Sequence, residues 1–394
     1  MRILANDGLV DEAVNFLRRE GFSVDTEKRD YEDLLGDLPD FDALLVRSAT
    51  KVNRELIEAA TTKRGKLKII GRGGVGTDNI DLQAAKECGV VVKFAPHGNI
   101  NATAEHVIGL MFAIARKVPF AHHTLKSGIW HKARFKGVEL QGKTLGLIGC
   151  GRIGQAVATK AKDLDMKVIG FDMQRWMDSE VDYMDSMEEV LDHADFVSIN
   201  TGGAHTLIRE PELERMKSSA FLINASRGVN VEEDALYYAL KNGRIAGAAL
   251  DCYEKEPKRE GEPFTSKLAE LDNIVLSAHL GASTANAARK TGMEIADVVS
   301  KYLKYGDFRQ SVNVGQTVID EGIDLYTIFI THEDKPGMFG KFGTAFGDLG
   351  VNIQENNSRR LDGLAQTIYT IQEKPTSEMQ EKLLEIDGVR RVVY

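Results

Sequence analysis

Thr144-Leu-Gly-Leu-Ile-Gly149-Cys-Gly151-Arg152-Ile153-Gly154 is the stretch that decides how this chain is read. Leu145 to Ile148 is an apolar run of strand length. Three glycines at GxGxxG spacing follow, and a helical pattern follows them. Gly149 permits a tight turn, Gly151 lets a diphosphate approach the backbone, and Gly154 lets helix and strand pack closely. The start of the helix, at Arg152 and Ile153, turns its amides toward the phosphate charge. Asp172 ends the next strand, Lys167 to Phe171. Its carboxylate accepts hydrogen bonds from a ribose 2′-hydroxyl and repels a 2′-phosphate, which predicts NAD over NADP. Arg175 pulls the other way if it accepts a phosphate; a solvated charge or an adenine-stacking group is its plainer reading.

This motif starts at residue 144, so something of domain size precedes it. Ile3–Ala5, Ala43–Val46, Leu67–Ile70 and Val90–Val92 read as strands, with helical patterns at Val10–Arg19 and Asn53–Ala60. After a long helix at Thr103–Arg116 the pattern resumes. Leu145–Ile148, Lys167–Phe171, Phe196–Ile199, Phe221–Ile223, Ala246–Leu250 and Ile274–Ser277 are the next strands, and Ala285–Tyr305 is a helix. Alternating βα units predict parallel sheets covered on both faces, hence an α/β protein with doubly wound, Rossmann- or flavodoxin-like lobes.

The last seventy-odd residues differ. Strands at 325–330, 351–356, 364–371 and 389–393, with helices at 336–349 and 377–386, give a βαββαβ order, that of a ferredoxin-like sandwich. The segment carries no catalytic-looking cluster, so binding or assembly is its expected job. The weakly patterned stretch before it, between Gly306 and Gly322, reads as a linker.

The 394 residues, 43% hydrophobic, suffice for two or three cores. Fifty basic against 59 acidic residues give a formal charge of −9, which argues against general nucleic-acid binding. Cys88, Cys150 and Cys252 sit at no metal-ligand spacing, so no metal is expected, and reduced cysteines fit a cytoplasmic protein. Val107–Ala115, the most apolar stretch, is too short to span a membrane, and the N-terminus lacks a signal-peptide pattern.

Three polar residues fall at C-terminal ends of predicted strands, where ligands of such folds sit. They are Arg227 in Asn224-Ala225-Ser-Arg-Gly228, Glu256 in Asp251-Cys-Tyr-Glu-Lys-Glu256-Pro257, and His279 in Ser277-Ala-His-Leu-Gly281. A histidine exchanges a hydroxyl proton near neutral pH, a carboxylate on its second nitrogen fixes the tautomer, and a guanidinium grips a carboxylate. Together they suit hydride transfer between NAD and a 2-hydroxy or 2-keto acid. Singly, each also reads as ordinary: a cap, a turn residue, a surface charge.

On the glycine motif and on Arg227, Glu256 and His279, in that order and spacing, the chain resembles the D-isomer-specific 2-hydroxyacid dehydrogenases. The resemblance covers essentially the whole chain. It implies a substrate-binding lobe made of residues 1–94 and 286–312, an inserted NAD lobe at 95–285 with the active site in the cleft between, a linker at 313–322 and an ACT regulatory domain at 323–394. It implies Arg227, Glu256 and His279 as catalytic residues. It adds Asn200, Thr201, Ala225, Asp251 and Gly281 to the cofactor contacts, which also include Arg227 and His279. Asn200 and Gly202 depart from the histidine and proline usual after that strand, at the adenine and ribose side.

Within the family, Arg47, Arg72 and the basic Trp130–Gly137 segment with Arg134 resemble members acting on 3-phospho-D-glycerate, whose oxidation opens the phosphorylated route to serine. Two arginines, each directly after an apolar strand, also fit a small dianion on physical grounds. Reduction of glyoxylate or hydroxypyruvate is the enzymatic alternative, and a non-enzymatic NAD-sensing corepressor the other. The ACT resemblance implies serine near His332, Asp334 and Asn352, with Asp334 standing where an asparagine is usual. His332 ends a strand and Asn352 lies beyond the next helix, which is expected to bring both to one edge. A homodimer or homotetramer is expected.

Overall fold

The structure, a computed structural model, describes residues 1–62, 65–203, 205–257, 261–314, 325–361 and 363–394. The linker expected at 313–322 lies mostly outside the described residues. The chain forms two compact units, residues 1–98 with 288–394, and residues 99–287.

In the first unit, β1 (Arg2–Ala5), β2 (Ser23–Asp25), β3 (Ala43–Val46), β4 (Ile69–Arg72) and β5 (Val91–Phe94) form a parallel sheet in the order β2-β1-β3-β4-β5. All four residues of β3 are buried, as expected for a parallel sheet covered on both faces. The helix Ala285–Tyr305 begins in the second unit and returns the chain to the first, where Ile295, Val299 and Tyr302 join Ile3, Leu45 and Ile69 in one core. The strand β2 went unpredicted. Three residues with only Val24 buried give no period to read.

In the second unit, β6 (Thr144–Ile148), β7 (Lys167–Phe171), β8 (Asp182–Tyr183), β9 (Phe196–Ile199), β10 (Phe221–Asn224), β11 (Gly247–Leu250) and β12 (Ile274–Leu276) make a parallel sheet. The order is β12-β11-β10-β9-β6-β7-β8. The order reverses at β6, between β9 and β7, which puts the glycine turn at the switch point where ligands of such sheets bind. The helix Ile100–Ala115 lies across β10 and β11 and starts three residues earlier than expected. The Val118–Lys126 helix was not anticipated; none of its residues is buried, so it has no apolar stripe to betray it.

The C-terminal segment is the βαββαβ sandwich foreseen. Its strands are β13 (Tyr326–Glu333), β14 (Ile353–Leu361), β15 (Leu364–Ile371) and β16 (Val389–Val393), antiparallel in the order β14-β15-β13-β16. One sheet face packs under the helices Met338–Asp348 and Ser377–Leu384, with Ile328, Ile330, Phe342, Phe346 and Tyr369 in its core. The other face belongs to the first unit's main core: Phe329, Ile368 and Val393 cluster with Tyr302, Leu303 and Phe308. Around this apolar patch Gln366 donates to the Lys86 carbonyl, Lys68 to that of Tyr394, and the half-buried Arg391 guanidinium to the carbonyls of Cys88 and Leu67.

Register corrects one expectation. His332 pairs with Ala365, which pairs with Arg360; Ile353 pairs with Ile371, which pairs with Tyr326. The helix after β13 runs back along the sheet, so Asn352 lies level with the start of β13 and His332 near its end. Six strand residues separate the two levels, roughly 20 Å. One chain does not bring His332 and Asn352 to one edge.

Candidate functional site

The cofactor motif has the shape its residues require. Gly149 has φ +91°, and a Cβ there would lie 2.8 Å from the Thr201 nitrogen. Only glycine fits, because β9 ends directly against it. A Cβ on Gly154 would meet the Gly149 carbonyl oxygen at 2.4 Å, so helix and turn are in backbone contact. At Gly151 a Cβ would meet nothing within 4 Å. Gly151 is also the N-cap of the Arg152–Lys162 helix, so the helix start is open where a diphosphate is expected. Arg152 is exposed and Ile153 half-buried.

Asp172 accepts from the Cys150 amide at 2.7 Å and the Gln174 amide at 3.0 Å. It braces the glycine turn and keeps acceptor capacity for a ribose diol. Arg175 is paired with Asp185 at 2.8 Å and also bonds the Met184 carbonyl, so it is committed away from a 2′-phosphate role. Asn200 folds onto its own strand, donating to the Ser198 carbonyl and accepting from the Ser198 hydroxyl. Thr201 donates to the Gly202 carbonyl, and Ala225 is half-buried directly after β10.

The residues expected at the reaction site come together at the ends of β10, β11 and β12. Asn224 locks the first turn, accepting from the Ser226 amide and hydroxyl and donating to the Arg227 carbonyl. A Cβ on Gly228 would sit 1.9 Å from the Tyr253 carbonyl carbon, so this turn lies flat against the Cys252–Glu256 turn. Arg227, half-buried, is thereby fixed beside it. Glu256 meets His279 squarely, with both carboxylate oxygens at 2.9 and 3.0 Å from Nδ1. The Cys252 sulfur and the Glu256 carboxylate both hold the imidazole pKa above its ordinary value. Glu256 itself, though burial pushes it up, is held low by the same histidine. His279 is left-handed, at φ +53°, a conformation that costs a non-glycine residue roughly a kcal/mol or more and persists only where its surroundings impose it.

The imposing group is Asp251. Fully buried, it accepts from the Ser277 hydroxyl at 2.6 Å and from the Leu280 and Gly281 amides, each at 2.8 Å. His106 Nε2 lies 3.1 Å away, and the His279 amide bonds the Asp251 carbonyl. Burial pushes this carboxyl up, but the bonds from His106, Ser277 and Leu280 outweigh it and hold the pKa at about 2. The family resemblance implies that Asp251 contacts the cofactor; here its acceptors are largely taken by the loop that carries His279. His106, Ser277 and Tyr253, whose hydroxyl ties the Leu250 and Ser277 carbonyls, were not singled out in the sequence. A histidine within a predicted helix carries no sign of a partner on a strand end.

In the first unit, Arg47 directly follows β3 and Arg72 ends the adjacent β4, in register with Val46. Arg47 is exposed, and its Cγ lies 3.6 Å from where a Cβ on Gly73 would be. Asp7 accepts from the Arg47 and Thr50 amides, and Asn79 donates to the Arg47 and Thr50 carbonyls. These supports also went unread. Gly74 leaves room for the Arg72 guanidinium, since a Cβ there would meet Nη1 at 1.8 Å. Arg134, in the second unit, is exposed and pairs with Asp272 at 3.2 Å.

In the C-terminal domain His332 is buried. Its Nε2 meets the Thr367 hydroxyl at 2.9 Å, its Nδ1 the Glu333 carbonyl at 2.8 Å, and its ring the edge of Phe342. Asp334 and Asn352 are exposed, with Arg360 3.6 Å from Asp334.

A profile described as D-isomer specific 2-hydroxyacid dehydrogenase, NAD binding domain, matches residues 108–281, and one for the ACT domain matches 326–388. A D-3-phosphoglycerate dehydrogenase of Haemophilus influenzae is 33% identical over 98% of this chain and 96% of its own. A hydroxypyruvate reductase of Thermotoga maritima is 40% identical over 77% of this chain and 98% of its own. The chain belongs to the D-isomer specific 2-hydroxyacid dehydrogenases. A D-3-phosphoglycerate dehydrogenase of Archaeoglobus fulgidus is 39% identical, and the match covers 64% of that longer protein. Among solved structures, an acyclic imino acid reductase in complex with NADPH and D-Arg superposes with a TM-score of 0.69 at 30% identity, over 80% of this chain and all of that one. Among the described residues no helix is long and apolar enough to cross a membrane.

Two outcomes follow from this geometry. Asp251→Asn turns an amide donor toward donors and should destabilise the fold by roughly 2 kcal/mol, the worth of a pKa held from 3.8 down to about 2. The native carboxylate's share is fully present above about pH 4 and fades as pH falls toward 2, so urea midpoints of wild type and variant should converge there. For the cofactor, Asp172→Ala should erase the preference for NAD over NADP in kcat/KM while leaving turnover at saturating NAD nearly intact; an unchanged preference would take Asp172 out of cofactor selection.

Proposed function

We propose that the protein oxidises 3-phospho-D-glycerate to 3-phosphooxypyruvate with NAD, the first step of the phosphorylated route to serine. The observation that carries the chemistry is the Glu256–His279 pair, two oxygens on one nitrogen, set beside the Arg227 turn. NAD, held at Gly149, Gly151, Gly154 and Asp172, supplies the hydride acceptor. His279 takes the C2 hydroxyl proton on the nitrogen that Glu256 leaves open. Glu256 keeps Nδ1 protonated and stabilises the imidazolium that forms. Arg227 grips the substrate carboxylate and so presents one face of C2. Arg47 and Arg72, supported by Asp7 and Asn79, are assigned to the phosphate.

Hydroxypyruvate or glyoxylate reduction is the second reading, favoured by the Thermotoga relative, 98% of whose length matches 77% of this chain. A corepressor-like NAD sensor needs none of the Arg227, Glu256 and His279 set. We place the protein in the cytoplasm as a homodimer or homotetramer. Serine, or a related amino acid, is the proposed ligand of the ACT domain. Because His332 and Asn352 lie at opposite levels of one sheet, that site takes His332 from one copy and Asn352 from another. Turnover of a panel of 2-hydroxy acids with both cofactors, with and without serine, tests the assignment. Activity on unphosphorylated acids alone would select the second reading.

His279→Ala should cut kcat by 10²–10⁴-fold, on the general scale of acid–base catalysis, with NAD affinity kept. Glu256→Gln should cost less. The raised imidazole pKa makes the oxidation rate climb with pH, and removing the carboxylate should move that rise to lower pH; an unmoved profile would deny Glu256 its place. Removing Arg47 or Arg72 should raise KM for phosphoglycerate by about tenfold or more, the worth of a charged hydrogen bond, and leave an unphosphorylated acid nearly unaffected. Equal losses on both substrates would return the arginines to a structural role. Calorimetry of serine binding to the whole chain should give saturable heat that Asn352→Ala abolishes.

A further inference from the structure

Proton transfer leaves one member of the reaction-site cluster without a task. Cys252 is 1% exposed, lies against His279, and its thiol donates weakly to the Ser226 carbonyl at 3.5 Å. Its plain reading is a small buried hydrophobe. The geometry says more. Cys252, Glu256 and His279 each offer one ligand atom, and these atoms all lie within 4.8 Å of one another. The sulfur forms the floor, while Glu256 and His279 are exposed, so the cluster is open on one side. Sequence spacing gave no hint of this, because the three residues come from two strand ends that only the parallel sheet places side by side.

A thiolate, an imidazole nitrogen and a carboxylate oxygen are the ligand set of a borderline-soft divalent cation, with a fourth tetrahedral position left for water. Hard cations such as Mg²⁺ want oxygen cages and octahedral geometry, which this trio does not offer. We propose that Zn²⁺, or a cation of its class, binds Cys252, Glu256 and His279 and thereby switches the reaction site off. On binding, the Cys252 S–H bond breaks, its proton passes to solvent, and a metal–sulfur bond forms. The His279 imidazolium breaks the N–H bond of the nitrogen that turns to the cation, releases that proton to solvent and gives the freed lone pair to the metal, and Glu256 exchanges its hydrogen bond for a metal–oxygen bond. No electron is transferred, and a chelator with the two protons returning reverses every step. A histidine whose lone pair is held by the metal, and whose carboxylate partner has turned away, no longer accepts a hydroxyl proton. The inhibitory half rests on the proposed proton-transfer role of His279; the binding half does not.

The test uses the full chain, free of thiol reductants, with Co²⁺ as the spectroscopic probe and buffered free Zn²⁺ as the inhibitor. Wild type should develop a saturable near-ultraviolet thiolate-to-cobalt band that Zn²⁺ displaces. Its turnover should fall over the same Zn²⁺ range and return with EDTA, and Mg²⁺ should do neither. Cys252→Val, measured against its own metal-free rate, should lack the band and need at least about tenfold more Zn²⁺ for half-inhibition, the scale on which even outer-shell changes weaken metal sites. Should the valine variant fold poorly, Cys252→Ser keeps the volume and removes the thiolate. No cobalt–thiolate band in wild type, or equal Zn²⁺ sensitivity in wild type and Cys252 variants, would overturn the proposal. A chain that binds Co²⁺ through Cys252 yet turns over no hydroxy acid would support the site and count against the function proposed above.

Discussion

The candidate reaction site hangs on one buried carboxylate. Asp251 ends β11, and its two oxygens gather a hydroxyl from the end of β12, two amides from the loop beyond it and an imidazole from the Ile100–Ala115 helix. A fully buried charge is tolerated only when so many donors share it. Those donors are the ones that force His279 into a left-handed backbone, and the backbone in turn aims the ring at Glu256. Desolvating a carboxylate therefore becomes a means of positioning a different residue. Neutralising it would release the loop before it touched any chemistry.

Much of this was readable in advance, for physical reasons that can be named. Strands such as Phe196–Ile199 and Leu364–Ile371 are wholly buried, so composition and length announce them. The glycine turn was legible because backbone contact at Gly149 and Gly154 admits no other residue. Arg227, Glu256 and His279 were legible because each is a reactive type at a strand end, and their order matched a known family. What escaped were groups whose meaning lies in a partner distant in sequence: His106 for Asp251, Asp7 and Asn79 for Arg47, and Cys252 for His279. The pairing of His332 with Asn352 failed differently. Proximity was inferred from a strand–helix unit, but a helix that returns along the sheet carries the chain back to the strand's starting level.

Charge is handled locally throughout. The chain is acidic overall, yet the residues assigned to anions sit on turns whose backbones are fixed by uncharged or anionic side chains: Asn224 beneath Arg227, Asp7 and Asn79 beneath Arg47. The supporting groups bond the backbone, and the Arg227 guanidinium itself donates to the Ser226 carbonyl at 2.9 Å. Arg134 and Arg175, by contrast, already have carboxylate partners.

The C-terminal sheet shares a core with the first unit's parallel sheet, and this changes what kind of object the ACT domain is. Phe329, Ile368 and Val393 are not an interface laid on a finished surface; they complete the packing around Tyr302 and Phe308. A shorter family member must clothe that same face in some other way, with polar residues or a partner. Gain of the domain in a lineage would therefore have required the lobe beneath it to turn apolar in step. Once that happened, loss of the domain would leave a greasy scar, so the addition works as a ratchet.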